Sequence, residues 1–199
     1  SFDADGDRHY YSSIIFSRFP IIDSGRVRYP RPSLPDVLLH ADLLVNNDTL
    51  RVFTTHLQSL QFTRYDYERI EKIKSVEDSL LANSKGILSK LKKGITYRSL
   101  QADIVHEVVG NSPHPYLICA DLNDVPNSYT YFTVRDDLQD AFLKKGTGIG
   151  RSFTGLSPTL RIDYILANKE LEVLQFKRVT RKHSDHFMLV SDLAIKSGK

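Results

Sequence analysis

The sequence has no tryptophan, a single cysteine and a single methionine. The lone Cys119 cannot close an internal disulfide, which excludes a disulfide-stapled scaffold and leaves the redox compartment open. No apolar run approaches the roughly 20 residues needed to cross a bilayer, and the N-terminal end carries no signal-peptide pattern. Cys and His never cluster at zinc-ligand spacing, and internal repeats, low-complexity segments and linkers are missing too. Because the only methionine is Met188, Ser1 is not a translation start, and a processed or partial chain is the expectation. Charge of one sign is also scarce. Lys and Arg number 27 against 24 Asp and Glu, and the net +3 is too small to name nucleic acid as partner. What remains is ordinary: 199 residues, 41% hydrophobic and 26% charged. A chain of that size buries roughly 70% of its extended surface on folding, enough for one domain over residues 1–199.

Strand-like runs occupy Tyr10–Arg18 and Asp36–Val45, the latter joined to Thr49–His56 by the turn cluster Asn46-Asn47-Asp48, a hairpin signal. From Thr63 to Gly110 the period turns helical, with Ile70, Ile73, Val76 and Leu80, then Ile87, Leu88 and Leu91, then Leu100, Ile104 and Val108. Gly86, Gly94 and Gly110 are expected to break or end two or three helices there. Tyr116–Ala120 reads as a buried central strand. Pro126-Asn127-Ser128 reads as a helix start capped by Asn127 or Ser128. Strands return at Arg161–Ala167, Glu172–Val179 and Phe187–Ile195. The whole is a mixed α/β domain with helices in the middle.

Polar residues gather at the ends of the apolar runs, at His56, Asp121-Leu122-Asn123 and Ser184-Asp185-His186, and Asp163 sits inside Arg161-Ile162-Asp163-Tyr164-Ile165. Alternation along a strand points Asp121 and Asn123 to one side. A carboxylate beside an amide oxygen suits magnesium or manganese rather than zinc. A carboxylate against an imidazole fixes its tautomer and raises its basicity, as general-base chemistry requires. Taken singly, Asp121 and Asn123 could form a turn or cap, His56 could be structural, and Asp163 could pair with Arg161.

In order and spacing, Thr55-His56-Leu57, Ala120-Asp121-Leu122-Asn123, Arg161-Ile162-Asp163-Tyr164-Ile165 and Ser184-Asp185-His186 resemble the successive motifs of the endonuclease/exonuclease/phosphatase (DNase I-like) superfamily. Ser17-Arg18-Phe19-Pro20 resembles the Ser-Arg-x-Pro element earlier in that fold, and the likeness runs from about Ile14 to Leu193. It implies a four-layer α/β sandwich, two mixed sheets flanked by helices, with the site at one edge. It implies a hydrolase in which Asp121 orients or activates the attacking water and Asn123 holds phosphate oxygens and helps at the metal site. His186, oriented by Asp163, is general base or electrostatic stabiliser. Asp185 lies at the Mg2+ or Mn2+ site, and His56 binds the phosphate or assists the leaving oxygen.

The chain departs from the family pattern in two places. It has Ala120 and Leu122 where members carry Gly-Asp-Phe-Asn. The family's first-strand Asn and metal-binding Glu lie upstream of Ser-Arg-x-Pro, and the residues before Ile14 contain no Glu. Asp3, Asp5 and Asp7 read as a solvated acidic loop there, so a first strand–helix–strand segment is expected to be missing and metal binding to be weak. The leading expectation is a monomeric metal-dependent phosphodiesterase acting on nucleic acid. The alternatives are a sphingomyelin, phospholipid or inositol-phosphate hydrolase, or a non-catalytic binding domain. Location is read as cytoplasmic by default, with membrane tethering through upstream sequence as the other possibility. Lys90, Lys92, Lys93 and Arg98 read as a solvated helix face. Gly146-Thr147-Gly148-Ile149-Gly150 reads as a loop rather than a phosphate cradle. Phe62, Tyr65 and Tyr67 could stack bases or pack a loop, and Cys119 reads as a small apolar residue.

Overall fold

The Asn46–Asn47 turn seeds the main sheet. The computed structural model describes residues 13–30, 37–60, 62–66, 68, 70, 80–155, 157–181 and 183–196. β2 (Val37–Val45) and β3 (Asp48–His56) pair antiparallel, with Val45 opposite Asp48. Asn46 turns the chain at a φ of 57°, a left-handed backbone that Asn adopts more readily than most residues. Across this hairpin Arg51 forks onto both carboxylate oxygens of Asp42 at 2.6 and 2.7 Å, a planar bidentate pair that favours one register. β1 (Ile21–Arg28) adds antiparallel on the outer side of β2.

The first strand therefore lies later than the sequence suggests. Residues 13–18 are irregular, and 10–12, like Asp3, Asp5 and Asp7, fall outside the described residues. β1 is an exposed edge strand whose Ile21-Ile22-Asp23-Ser24-Gly25 start has no apolar alternation to announce it.

After β3 the chain crosses over and returns as β4 (Tyr116–Asp121), parallel to β3, a connection that needs a helix-length crossover. That helix, α1 (Leu80–Gly110), runs 31 residues through both Gly86 and Gly94, where breaks were expected, and ends at Gly110 as expected. A glycine costs about 1 kcal/mol inside a helix. Fully buried Ala102, Val105 and Val109 outweigh that cost here. At Gly94 the missing side chain is needed, because a Cβ would come within 2.6 Å of Leu60 Cδ2. Ile73, Val76 and Tyr67 fall outside the described residues.

Ser128 caps α2 (Tyr129–Arg135), its Oγ accepting the Tyr131 N–H. Short β5 (Gln139–Asp140) and α3 (Ala141–Lys145) follow, then β6 (Asp163–Ala167). The sheet order is β1-β2-β3-β4-β6-β5. β7 (Leu171–Val179) and β8 (Met188–Ile195) form a second, antiparallel sheet.

Strand alternation sorts the core into two layers. Phe53, Ile118, Ala120, Tyr164 and Leu166 face α1 and α2. Val52, Leu117, Cys119 and Ile165 face the β7–β8 sheet. Two packed sheets with flanking helices are the architecture that the sequence implied. Cys119 is half-buried in the second layer, where desolvation pushes its thiol up to about 11.

Candidate active site

Three neighbouring strands end on one row. His56 closes β3 and pairs in register with Asp121 at the end of β4, which pairs with Asp163 at the start of β6. By the alternation that sends Ala120 and Tyr164 to the helical layer, this rung faces the β7–β8 side. His56 Nε2 lies 3.5 Å from Asp121 Oδ2.

His186 reaches the same spot from the turn before β8. Its Nδ1 sits 2.9 and 3.1 Å from the two Asp163 oxygens, which fixes Nδ1–H as the donor and turns Nε2 toward Asp121, 3.9 Å away. Arg161, the other possible partner of Asp163, is committed to Asp140 at 2.7 Å.

A loop holds these parts together. Buried Ser152 accepts the N–H groups of Ile162 and Asp163 on its Oγ, and its carbonyl accepts Phe187 N–H. Thr154 donates both its N–H and its hydroxyl to the Asp185 carbonyl, and Phe153 packs its ring 4.8 Å from the His186 ring. Arg151 ties this loop by donating to the carbonyls of Phe153 and Thr154. Nothing in the local sequence marks Ser152 or Thr154, because their partners are backbone atoms remote in the chain.

Asn123 stands at the floor with a φ of 49°. Its N–H donates to Asp121 Oδ1 at 2.8 Å, and its side-chain amide donates to the Leu57 carbonyl at 3.0 Å. Asp185 lines the cleft mouth, exposed, with Ser184 donating to its carboxylate.

The electrostatics are uneven. Burial, and then the neighbouring Asp163 carboxylate, push Asp121 up to about 6, against the opposing pull of His56. His186 is raised above the ordinary imidazole range, chiefly by its hydrogen bond to Asp163. Two carboxylates and an imidazole therefore share a space where ligand atoms from Asp121, Asp163 and His186 lie within 4.8 Å of one another. This oxygen-rich set, carrying a carboxylate that resists ionisation, fits a hard divalent cation that would supply the missing positive charge.

The cleft holds about 440 Å3. Its polar end is His56, Asp121, Asn123, Asp185 and His186, and Phe62, Leu91, Ile95 and Leu160 belong to its walls. Arg98 lines it too, and the solvated-face reading fails for this residue. Its side chain is 3% exposed, donating to Asp124 at 3.0 Å and to the Gln58 carbonyl at 3.1 Å. Lys92 and Lys93 are exposed as read, while Lys90 pairs with Asp66. Phe62 is in the wall and Tyr65 is largely exposed. The glycines at 146 and 150 lie against the Phe142 ring, where a Cβ would come within 2.2 and 2.5 Å.

The fold is similar to solved structures. The human Nocturnin catalytic domain shares 16% identity at a TM-score of 0.58, over 90% of this chain and 61% of that one. A Bacteroides thetaiotaomicron mannosyl-6-phosphatase shares 14% at 0.51, over 89% and 67%. D. rerio TDP2 complexed with single-strand DNA product shares 13% at 0.56, over 89% and 69%. The chain thus spans less than two thirds of the Nocturnin domain's length. No curated protein matches it by sequence. The sequence pattern of one family does match, across residues 2–186, and on that span the chain belongs to the Endonuclease/Exonuclease/phosphatase family.

Proposed function

We propose that the protein is a divalent-metal-dependent phosphodiesterase, carried by one domain, that hydrolyses its substrate by in-line attack of water. The observation that supports this best is geometric: the half-buried Asp121 carboxylate lies between His56 and His186, whose Nε2 atoms stand 3.5 and 3.9 Å from its Oδ2. A carboxylate so placed is positioned to accept a proton from the attacking water. His186, oriented by Asp163, whose hydrogen bond favours the protonated imidazole, donates from Nε2 to a phosphoryl oxygen.

A water oxygen bonds to phosphorus while its proton passes to Asp121. The opposite phosphorus–oxygen bond breaks, and His56 supplies a proton to the leaving alkoxide. Asn123 steadies a non-bridging oxygen. Asp121, Asn123 and Asp163, with Asp185 at the mouth, would hold Mg2+ or Mn2+, which when bound withdraws charge from the phosphoryl oxygens. Nucleic acid is the substrate class the resemblance implies, in line with the DNA product held by TDP2.

The test is hydrolysis of methyl 4-nitrophenyl phosphate with Mg2+ or Mn2+ and with EDTA. The expected result is metal-dependent turnover that falls about 10³-fold or more in His186→Ala. Turnover that survives EDTA, or a folded His186→Ala of near-wild-type rate, contradicts the reading.

A further inference from the structure

We propose that Arg98 is a positioning residue: from α1 it locks the turn after β3 to the turn after β4, and so sets His56 and Asn123 against Asp121 for the reaction. The catalytic consequence rests on the phosphodiesterase reading; the lock itself rests on the hydrogen bonds.

The two turns lie beyond the last rung of strand pairing, where His56 stands opposite Asp121. They meet directly where Leu57 N–H donates to the Asp121 carbonyl at 2.9 Å and the Asn123 side-chain amide donates to the Leu57 carbonyl at 3.0 Å. The helix α1 then fastens both from outside. Arg98 is buried, and its guanidinium divides between the turns, Nε donating to Asp124 at 3.0 Å and Nη1 to the Gln58 carbonyl at 3.1 Å. Gln101, buried and three residues on, accepts the Gln58 N–H on its Oε1 at 2.8 Å. One face of α1 thus claims both backbone groups of Gln58.

The Asp124 end is fixed as firmly. Its carboxylate also accepts the Thr130 hydroxyl and the Val125 N–H, and its carbonyl accepts the Tyr164 hydroxyl. Between Asp121 and Asp124, Asn123 holds its left-handed backbone, a conformation that persists where the neighbours determine it.

The arrangement exceeds what packing asks for. Gln101 keeps its Nε2 buried and without a partner among the described residues, a cost that a leucine there would avoid. Arg98 spends two donors of a planar fork on two separate turns, a geometry that the compact ammonium of Lys does not reproduce. Misplacing a catalytic group by about 1 Å can cost about 100-fold in rate. The lock therefore bears on kcat, although Arg98 acts through Asp124 and Gln58 rather than on the reacting atoms.

The test compares wild type, Arg98→Lys, Gln101→Leu and Arg161→Met by amide hydrogen exchange, by urea denaturation, and by kcat and KM for methyl 4-nitrophenyl phosphate with Mg2+. The readout amides are those of Leu57 and Asn123, which bond to Asp121 and not to α1. In both lock variants they are expected to exchange about tenfold faster or more. In Arg98→Lys kcat is expected to fall about 100-fold, with KM held within about threefold. Arg161→Met, which removes a buried guanidinium from the other cluster, is expected to lose stability and keep kcat within about threefold.

A folded Arg98→Lys with wild-type exchange at Leu57 and Asn123, or with kcat near that of wild type, overturns the proposal. So does a change confined to KM, which would make Arg98 a substrate contact. An equal fall of kcat in Arg161→Met also overturns it, because the loss would then follow general stability. A wild type that turns over no phosphodiester sinks the hydrolase reading instead, and the two exchange rates then uphold or overturn the lock by themselves.

Discussion

Arg161 and Asp163 lie two residues apart, yet they serve clusters of opposite character. On one side, Arg161 meets Asp140 at 2.7 Å with both side chains at most 5% exposed. Tyr131 donates to the same carboxylate, which also caps α3 through the N–H groups of Phe142 and Leu143. The guanidinium lies 4.8 Å from the ring centres of Phe142 and Tyr164. One cation faces one carboxylate, and the acceptors are used. On the other side, Asp121 and Asp163 share two histidines that are cationic only when protonated. The closed cluster is a structural clamp. The open one leaves charge unmatched in a cleft, and that imbalance is what a phosphate, a cation or a proton in transit can answer.

The largest effect is expected at the closed cluster. Arg161→Met strands Asp140 in the core and is expected to cost about 3–5 kcal/mol in urea denaturation. Turnover per folded molecule should change little. A loss of turnover like that of the cleft variants would show that the clusters are not separable.

Asp121→Asn should do the reverse. It is expected to lower kcat about 10³-fold, about 4 kcal/mol of barrier, while making the metal-free protein more stable at pH 7. The folded-state pKa of Asp121 lies above its unfolded value. Its favourable contribution is therefore complete below the unfolded range near 4 and is lost as pH rises through about 6. Denaturation with EDTA should find the Asn variant ahead by on the order of 2 kcal/mol at neutral pH and level with wild type near pH 4. Equal stability at both pH values would refute the idea of unmatched charge.

Asp163→Asn should have a smaller effect. His186 is raised by Asp163, so the pair stabilises fully below the ordinary imidazole range and loses that contribution as pH rises through the raised value. The stability gap between wild type and Asp163→Asn should be about 1 kcal/mol in mild acid and should narrow in base. NMR titration of His186 should show its pKa lowered in the variant. Gly94→Ala should have the smallest effect. A gain in helix propensity of up to about 1 kcal/mol opposes the displacement of Leu60. The melting temperature should move by a few degrees at most.

Much of this was legible in the chain. The Asn46-Asn47-Asp48 turn, the strand at Tyr116–Ala120, which extends to Asp121, and the cap at Asn127 or Ser128, which is Ser128, are local signals, and local physics decides them. That His56, Asp121, Asn123, Asp185 and His186 line one cleft follows from their places at the ends of apolar runs, whereas Asp163, which reads as lying inside its run, is the first residue of β6. Other features were set by partners far away in sequence. Arg98 looked solvated among lysines, but Gln58 and Asp124 claim it from 40 and 26 residues away. Asp140 decided the fate of Arg161 from 21 residues away. α1 passes through Gly86 and Gly94 because packing overrides a local penalty. The edge strand β1 escaped notice because exposure removes the alternation that would reveal it.

The rung of His56, Asp121 and Asp163 has a bearing on how the protein is made. The rung exists only if β3, β4 and β6 are paired in one register, and sliding any of them by one residue turns its side chain to the opposite face. The β3–β4 contact must also wait for the long α1 crossover to close, a slow kind of contact to form. Chains that are compact but one step out of register would therefore be silent as catalysts. Regain of activity during refolding would report the arrival of the last long-range strand pairing, separately from the spectroscopic return of helix.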